Sequence, residues 1–183
     1  MENSVANQTT TKWVLDPAHS ELSFKVKHLM ISNLRGEFRK FNAVIEGEDF
    51  SISPVHVSID VSSIYTNDDA RDGHLKSADF FDADNHSTIA FTSTSFNKLE
   101  GDNYKLNGQL TIKGITNPVS LHVEFGGTGK DPWGNEKAAF TISGTIHRKD
   151  WGLNWNAALE TGGMLVSDEV RIQADVQFVK KTA

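Results

Sequence analysis

Pro54-Val55-His56-Val57-Ser58-Ile59-Asp60-Val61-Ser62 is the stretch on which the fold turns. Every odd position from 55 to 61 is β-branched and apolar, and every even position from 56 to 62 is polar. Successive side chains of a strand point to opposite faces. The pattern therefore predicts a strand with Val55, Val57, Ile59 and Val61 on one face and His56, Ser58 and Asp60 on the other. β-Branched residues suit such a pleated, half-buried surface.

The same period recurs outward from this strand. Leu22, Phe24 and Val26 alternate with Ser23, Lys25 and Lys27, and His28 continues the apolar phase, which aims it inward at a strand end. Phe41, Ala43 and Ile45 alternate with Asn42, Val44 and Glu46 within 38–47. Ile89 and Phe91 fall in a run at 88–96, and Leu106, Leu110 and Ile112 in one at 104–113. Val119, Leu121, Val123 and Phe125 alternate with Ser120, His122 and Glu124. Phe140, Ile142 and Ile146 do so within 138–148, and Val170, Ile172, Ala174, Val176 and Phe178 near the C-terminus. A short first strand is expected at 13–15. Glycine, Asn and Asp clusters at 100–103, 126–129 and 131–135 read as turns or loops. Helix signals are few. The segment 67–81 offers Asn67, Asp68 or Asp69 as caps and Leu75, Ala78 and Phe81 at a spacing of three. Leu29, Met30 and Leu34 fit a short helical turn within 26–34.

Many meandering strands with one polar face, and almost no helix to cover it, predict an all-β fold: an extended eight-stranded antiparallel barrel with one or two short helices. Eight strands leave an interior just wide enough for side chains or one slim ligand. Strands of roughly ten residues at about 3.3 Å each make a sleeve near 30 Å tall. The inward positions Phe24, Val26, Phe41, Ile45, Val57 and Ile59 form its candidate lining. Phe91, Leu110, Val123, Phe140, Ile142 and Ile172 extend it on the later strands.

Composition bounds the function. The chain has 183 residues, 38% hydrophobic and 23% charged, the balance of a soluble globular domain. It lacks cysteine, which excludes disulfides and thiolate chemistry. The net charge is −6 and no basic run is longer than a pair such as Lys180-Lys181, so no cationic face for nucleic acid is expected. No apolar run approaches the roughly 20 residues that span a bilayer, so a membrane-spanning helix is not expected. Residues 1–11 read as a polar leader expected to be disordered, with no signal-peptide pattern, and 12–180 as one barrel domain. On that reading the chain is cytoplasmic, or periplasmic if a signal peptide has been removed.

One segment concentrates reactive side chains: Arg71-Asp72-Gly73-His74-Leu75-Lys76-Ser77-Ala78-Asp79-Phe80-Phe81-Asp82. A catalytic reading makes His74, or His28, a general base oriented by Asp72 or Asp79. Positions 72 and 74 are two apart and do not face each other on a helix. The competing reading is a lid, with Arg71 and Asp72 bonding to neighbouring loops and Phe80 or Phe81 pushing into the barrel opening. Trp151 and Trp155 are placed to cover a barrel end, with Arg148 pairing an acid across the mouth. His56, His122 and His147 fall on polar faces or strand ends and read as solvated. Asp16-Pro17-Ala18-His19-Ser20 reads as a turn. No nucleophile elbow, P-loop or dinucleotide fingerprint is present, and no metal site or catalytic cofactor is expected.

Several of these motifs, taken in order, resemble the YceI-like family of polyisoprenoid-binding proteins. They are Asp16-Pro17-Ala18-His19-Ser20 with Phe24-Lys25-Val26-Lys27-His28, Gly36-Glu37-Phe38, Ser62-Ser63-Ile64-Tyr65-Thr66-Asn67 and Arg71-Asp72-Gly73-His74-Leu75. Phe80-Phe81-Asp82, Phe91-Thr92-Ser93-Thr94, the run 108–114, Asn117-Pro118-Val119, His147 to Leu153 and Asp168-Glu169-Val170 complete the set. The resemblance spans about 13–179. It departs at Asn85-His86, where the family usually has an aromatic-Pro pair, and at Ala43, where a Gly is usual. It implies a lipocalin-like barrel whose tunnel holds an isoprenoid chain, such as a quinone tail, or a fatty amphiphile, and often a homodimer. The expected function is non-enzymatic binding, storage or transport of such a lipid, with Phe24, His28, His74, Phe80 and Trp151 among the ligand-binding residues. The alternatives are a hydrophobic-substrate enzyme using the histidines above and an interaction module pairing through an exposed β edge.

Overall fold

The computed structural model describes residues 10–160 and 162–182; the bulk of the expected leader, 1–9, lies outside them. The strands are β1 (Thr11–Leu15), β2 (Glu21–His28), β3 (Ser32–Phe38), β4 (Phe41–Ile45), β5 (Val55–Asp60), β6 (Ile64–Tyr65), β7 (Thr88–Lys98), β8 (Asn103–Ile112), β9 (Ile115–Lys130), β10 (Glu136–His147) and β11 (Val166–Thr182). One α-helix, α1 (Asp69–Lys76), separates β6 from β7.

These segments make eight staves. β1 and β2 run end to end, broken by a 3₁₀ turn at Pro17–His19, and both pair with β11, at Thr11↔Thr182 and at Val26↔Val170. β3 and β4 pair with β2 and β1 respectively, and β5 and β6 pair with β4 and β3. From there β7 to β11 follow one another as antiparallel neighbours. The β1–β11 pairing closes the ring, so the fold is an eight-stranded antiparallel up-and-down barrel. Closure removes the exposed edges that would otherwise template association.

The breaks between segments have local causes. At the β1–β2 corner, Asp16 caps the 3₁₀ turn by accepting from the Ala18 N–H at 3.1 Å, and Pro17 supplies the fixed φ. Asp60 does the same for the 3₁₀ turn at Val61–Ser63 that separates β5 from β6. The predicted strand through Val61 therefore ends one residue early, although Val61 is still buried.

Two expectations are corrected. The segment 26–34 is no helical turn but the β2–β3 hairpin, with Leu29 (φ 55°) and Met30 (φ 61°) both left-handed and the Ile31 N–H donating to the His28 carbonyl at 3.2 Å. Two consecutive positive φ values make a tight hairpin turn, whose twist matches the flanking strands. The glycine run 126–129 is not a loop but part of β9. Gly126 is an extra residue opposite the Ala139–Phe140 step, and Gly127 takes φ 105°, a conformation strained for any residue with a Cβ.

The two ends of the barrel differ. At the bottom, Phe50 from the β4–β5 loop turns inward against Phe125 (5.1 Å between centroids), Phe140 (5.3 Å) and Trp13 (6.0 Å). The Trp13 indole holds that loop by donating to the Glu48 carbonyl at 2.9 Å. At the top stand the β2–β3 hairpin, α1 with residues 77–87, the β8–β9 turn and the loop 148–165.

Candidate functional site

The sleeve is hollow above the aromatic plug: a cavity of about 600 Å³ lies inside the strands, within the roughly 300–1,000 Å³ usual for small-molecule sites. Its wall is built by the alternation read from the sequence. Phe24 and Val26 on β2, Phe41 on β4, and Val57 and Ile59 on β5 face it. Phe91, Leu110, Ile142 and Ile172 do so from β7, β8, β10 and β11. His28 lines it at the end of β2, and His74 and Phe80 close in from the top.

Close approach keeps the wall thin in places. A Cβ on Gly36 would overlap the Phe24 ring, and one on Gly108 would meet Phe91 and the Thr92 carbonyl. Glycine at both positions lets an aromatic ring lie flat on the neighbouring strand, leaving the lumen open.

Three candidate lining residues occupy another level. Ile45, Val123 and Phe140 surround a separate void of about 50 Å³ around Phe50, in the aromatic plug at the bottom. They share the inward face, but their height along the axis puts them in the floor. Trp151 lies outside both cavities: it is 2% exposed, and its indole donates to the Leu110 carbonyl at 2.9 Å.

The lid is assembled by a few polar anchors. Asp68 caps α1 by accepting from the Arg71 N–H at 3.0 Å. Asp72, buried, accepts from the Thr66 N–H at 2.8 Å and from the Thr66 hydroxyl at 2.5 Å. Arg71 donates to the Thr66 hydroxyl and carbonyl at 2.8 and 2.6 Å. Asp72 is thus committed to the β6–α1 turn and not to His74. His74 instead pairs with Asp79, Nε2 to Oδ2 at 2.9 Å, and packs edge-on against Trp155 (4.7 Å) and Phe80 (5.2 Å). His74 lines the cavity and keeps 36% of its side chain accessible, so its ring is not sealed in the packing of the lid.

Arg148 corrects a further expectation. It is 4% exposed and, among the described residues, salt-bridges no acid; its guanidinium donates to the carbonyls of Leu153 (2.6 Å), Trp155 (2.9 Å), Ser167 (2.9 Å) and Val166 (3.2 Å). One planar fork thereby folds the loop after β10 over the barrel and presents Trp155 to His74.

The sequence reading missed Leu34, Leu165 and Val166 as wall residues and read Trp155 only as an end cover. Leu34 alternates with Gly36 and Phe38, a strand signal hidden by the helical reading. Leu165 and Val166 follow a loop with no periodicity of its own.

Polar side chains in the cavity wall gather near the lid: His28, Asp68, Arg71, His74 and Arg148, with Ser23 lower on β2. Among the described residues no buried side-chain nitrogen or oxygen lacks a hydrogen-bond partner. The interior is therefore an apolar container whose few polar wall groups lie mainly at the lid end. It can shelter hydrocarbon, and it can meet a polar head group only at the top.

The family model of the YceI-like domain matches residues 13–178. A UPF0312 protein of Staphylococcus aureus is 43% identical over 173 residues, covering 92% of this chain and 97% of that protein. Among solved structures, a Campylobacter jejuni YCEI protein is 31% identical with a TM-score of 0.71, over 85% of this chain and 90% of that one. Burkholderia cenocepacia BcnA is 25% identical with a TM-score of 0.77, over 89% and 98%. A polyisoprenoid-binding domain from Saccharophagus degradans, 14% identical, shares the fold with a TM-score of 0.68 over 91% and 97%.

Proposed function

This chain belongs to the YceI-like domain family, and from that premise we propose that it binds a long-chain isoprenoid or similar amphiphilic lipid, without chemical conversion, as a carrier or reservoir. The observation that carries the reading is the cavity of about 600 Å³ walled by Phe, Leu, Ile and Val from successive staves, with polar groups confined mainly to the lid end. The solved polyisoprenoid-binding domain with the same fold supports it. An isoprenoid quinone fits the arrangement, its tail along the sleeve and its ring beside Arg71 and His74. Homodimer formation belongs to the same proposal and is read by sedimentation.

Hiding about 400 Å² of apolar tail is worth roughly 10 kcal/mol gross at 25 cal/mol per Å². Association and ordering remove about half of that. The roughly 5 kcal/mol that remains corresponds to a dissociation constant on the order of 0.1 mM from the tail alone, so micromolar binding needs a longer buried tail or added contacts from the polar groups at the lid.

The test is mass spectrometry of an organic extract of the purified protein, beside an Ile59→Asp variant whose fold is checked by circular dichroism. Ile59 is 9% exposed and in the wall, so a carboxylate there would be buried unpaired against the tail. The wild type is expected to yield a long-chain lipid and the variant none. A folded variant that keeps the full lipid complement, or a wild type that yields none and takes up no prenyl ligand, sinks the reading.

The His74–Asp79 pair, whose histidine lines the cavity, favours a second reading, an enzyme acting on a hydrophobic substrate. A His74→Ala variant that retains lipid but loses a turnover present in the wild type would select it.

A further inference from the structure

The β2–β3 hairpin exposes apolar side chains where a barrel has no use for them. Leu29, Met30 and Ile31 are 41%, 49% and 83% exposed. Leu29 and Met30 also hold left-handed backbone, where Asn-Gly is the favoured pair and a long side chain is strained. Strain of this kind collects at functional positions. Met164, 40% exposed, adds to the patch from the neighbouring loop. Met30 packs over Gly163, where an added Cβ would stand 3.1 Å from its Cγ, and the Leu29 N–H donates to the Leu165 carbonyl at 2.9 Å.

This patch is continuous with the cavity. His28, immediately before the tip, lines it, as do Leu165 and Val166. At the opposite end Ile52 and Trp133 are as exposed, at 83% and 84%, but they sit on separate turns below the aromatic plug, as scattered surface apolar residues do.

Charge marks the same corner. Arg171, Lys25 and Arg35 stand in register across β11, β2 and β3, all exposed, and Lys27 lies two residues nearer the tip. Like charges directly opposed across strands are destabilising, yet the row is kept in a chain of net charge −6. Of the acids nearby, Glu37 is bonded to Arg39 at 2.8 Å and Glu169 approaches Arg171 at 3.9 Å. Among the described residues Lys25, Lys27 and Arg35 form no ion pair.

We propose that the hairpin end of the barrel docks on an anionic lipid bilayer. Leu29, Met30 and Ile31 enter the interface, and the row Arg171–Lys25–Arg35 with Lys27 meets the lipid phosphates. Apolar residues at the tip with cations behind them are the two elements that interfacial binding needs. Docking there sets the cavity mouth against the membrane, so a lipid passes between bilayer and sleeve without its tail crossing water. The inference rests on the lipid-binding reading of the cavity.

The test is co-sedimentation of the full chain with phosphatidylcholine vesicles, with and without phosphatidylglycerol, at low and high salt. The wild type is expected on the anionic vesicles only, and less at high salt. Lys25→Gln and Arg35→Gln should each weaken binding roughly fivefold. Leu29→Asn/Met30→Gly/Ile31→Thr, whose turn suits the backbone better, should fold and release the vesicles. Equal binding to both vesicle types, none to either, or variants that bind like the wild type overturns the proposal. So does a tip variant that changes only the sedimentation coefficient of the free protein, since the patch would then join two copies of the chain. Extracts of the same preparations separate the two readings: lipid recovered without vesicle binding defeats docking alone, and vesicle binding by a protein that never holds lipid defeats the carrier reading alone.

Discussion

Arg148 and Asp16 show how single side chains fix the two ends of the barrel. Arg148 gathers four carbonyls, those of Leu153 and Trp155 in the loop over the top and those of Val166 and Ser167 at the start of β11. Removing it leaves buried acceptors without donors, so Arg148→Ala is expected to cost about 2–4 kcal/mol in urea unfolding. Arg148→Lys should not restore it, because an ammonium cannot reproduce the fork. At the bottom, Asp16 pairs with Lys137 at 2.8 Å and His19 at 2.9 Å, and the hydrogen bond from Lys137 does most to hold its carboxyl at about 2, below the ordinary value of 3.8. A depressed carboxylate stabilises the fold fully above the unfolded value and is lost as pH falls through the folded one. Wild type should thus lose on the order of 1 kcal/mol between about pH 4 and pH 2, allowing for solvent screening at this surface site. Lys137→Met should flatten that part of the stability–pH profile; an unchanged slope would show that the pair contributes nothing. At this scale the sequence was partly legible. Asp16 and Asp68 were readable as caps because capping is local, whereas the carbonyl partners of Arg148 come from a loop whose path no short-range rule sets and from the first residues of β11 beyond it.

At the scale of elements, alternation located the strands, and the misreadings occurred where two local signals competed. Leu29, Met30 and Leu34 have helical spacing, but His28 and Ser32 pair across a hairpin and force the two residues after His28 to positive φ. Replacing Leu29-Met30 with Asn-Gly is expected to raise stability by about 1–2 kcal/mol, read from the urea midpoint, since it removes left-handed strain from two residues with bulky side chains. A fall in stability would mean that packing of Met30 on Gly163 outweighs the strain. The run Gly126 to Gly129 carries turn chemistry, but β10 offers a pairing partner along its whole length, and the ladder absorbs the glycines as a bulge.

At the scale of the molecule, the proposed carrier role makes the stability of the barrel depend on its contents. A ligand bound only by the folded state at about 100 times its dissociation constant adds about 2.7 kcal/mol. For a chain of this size that raises Tm by roughly 5–11 °C. Delipidated protein should therefore melt lower by calorimetry and recover when a prenyl lipid is returned, with longer tails more effective than shorter ones until the sleeve is filled. Identical melting of the empty and reloaded protein would contradict a filled cavity.

The amino-acid sequence by itself determined which residues of the clearly alternating strands face inward, because the two-residue period of a strand is a property of the backbone at each position. Only the tertiary structure decided how high along the axis each inward residue stands. That depends on pairings as distant as Thr11 with Thr182 and on a loop that drives Phe50 into the floor. Ile45, Val123 and Phe140 share the pattern of the cavity wall and yet form its plug, since alternation records the side of the sheet and carries no information about position along the barrel.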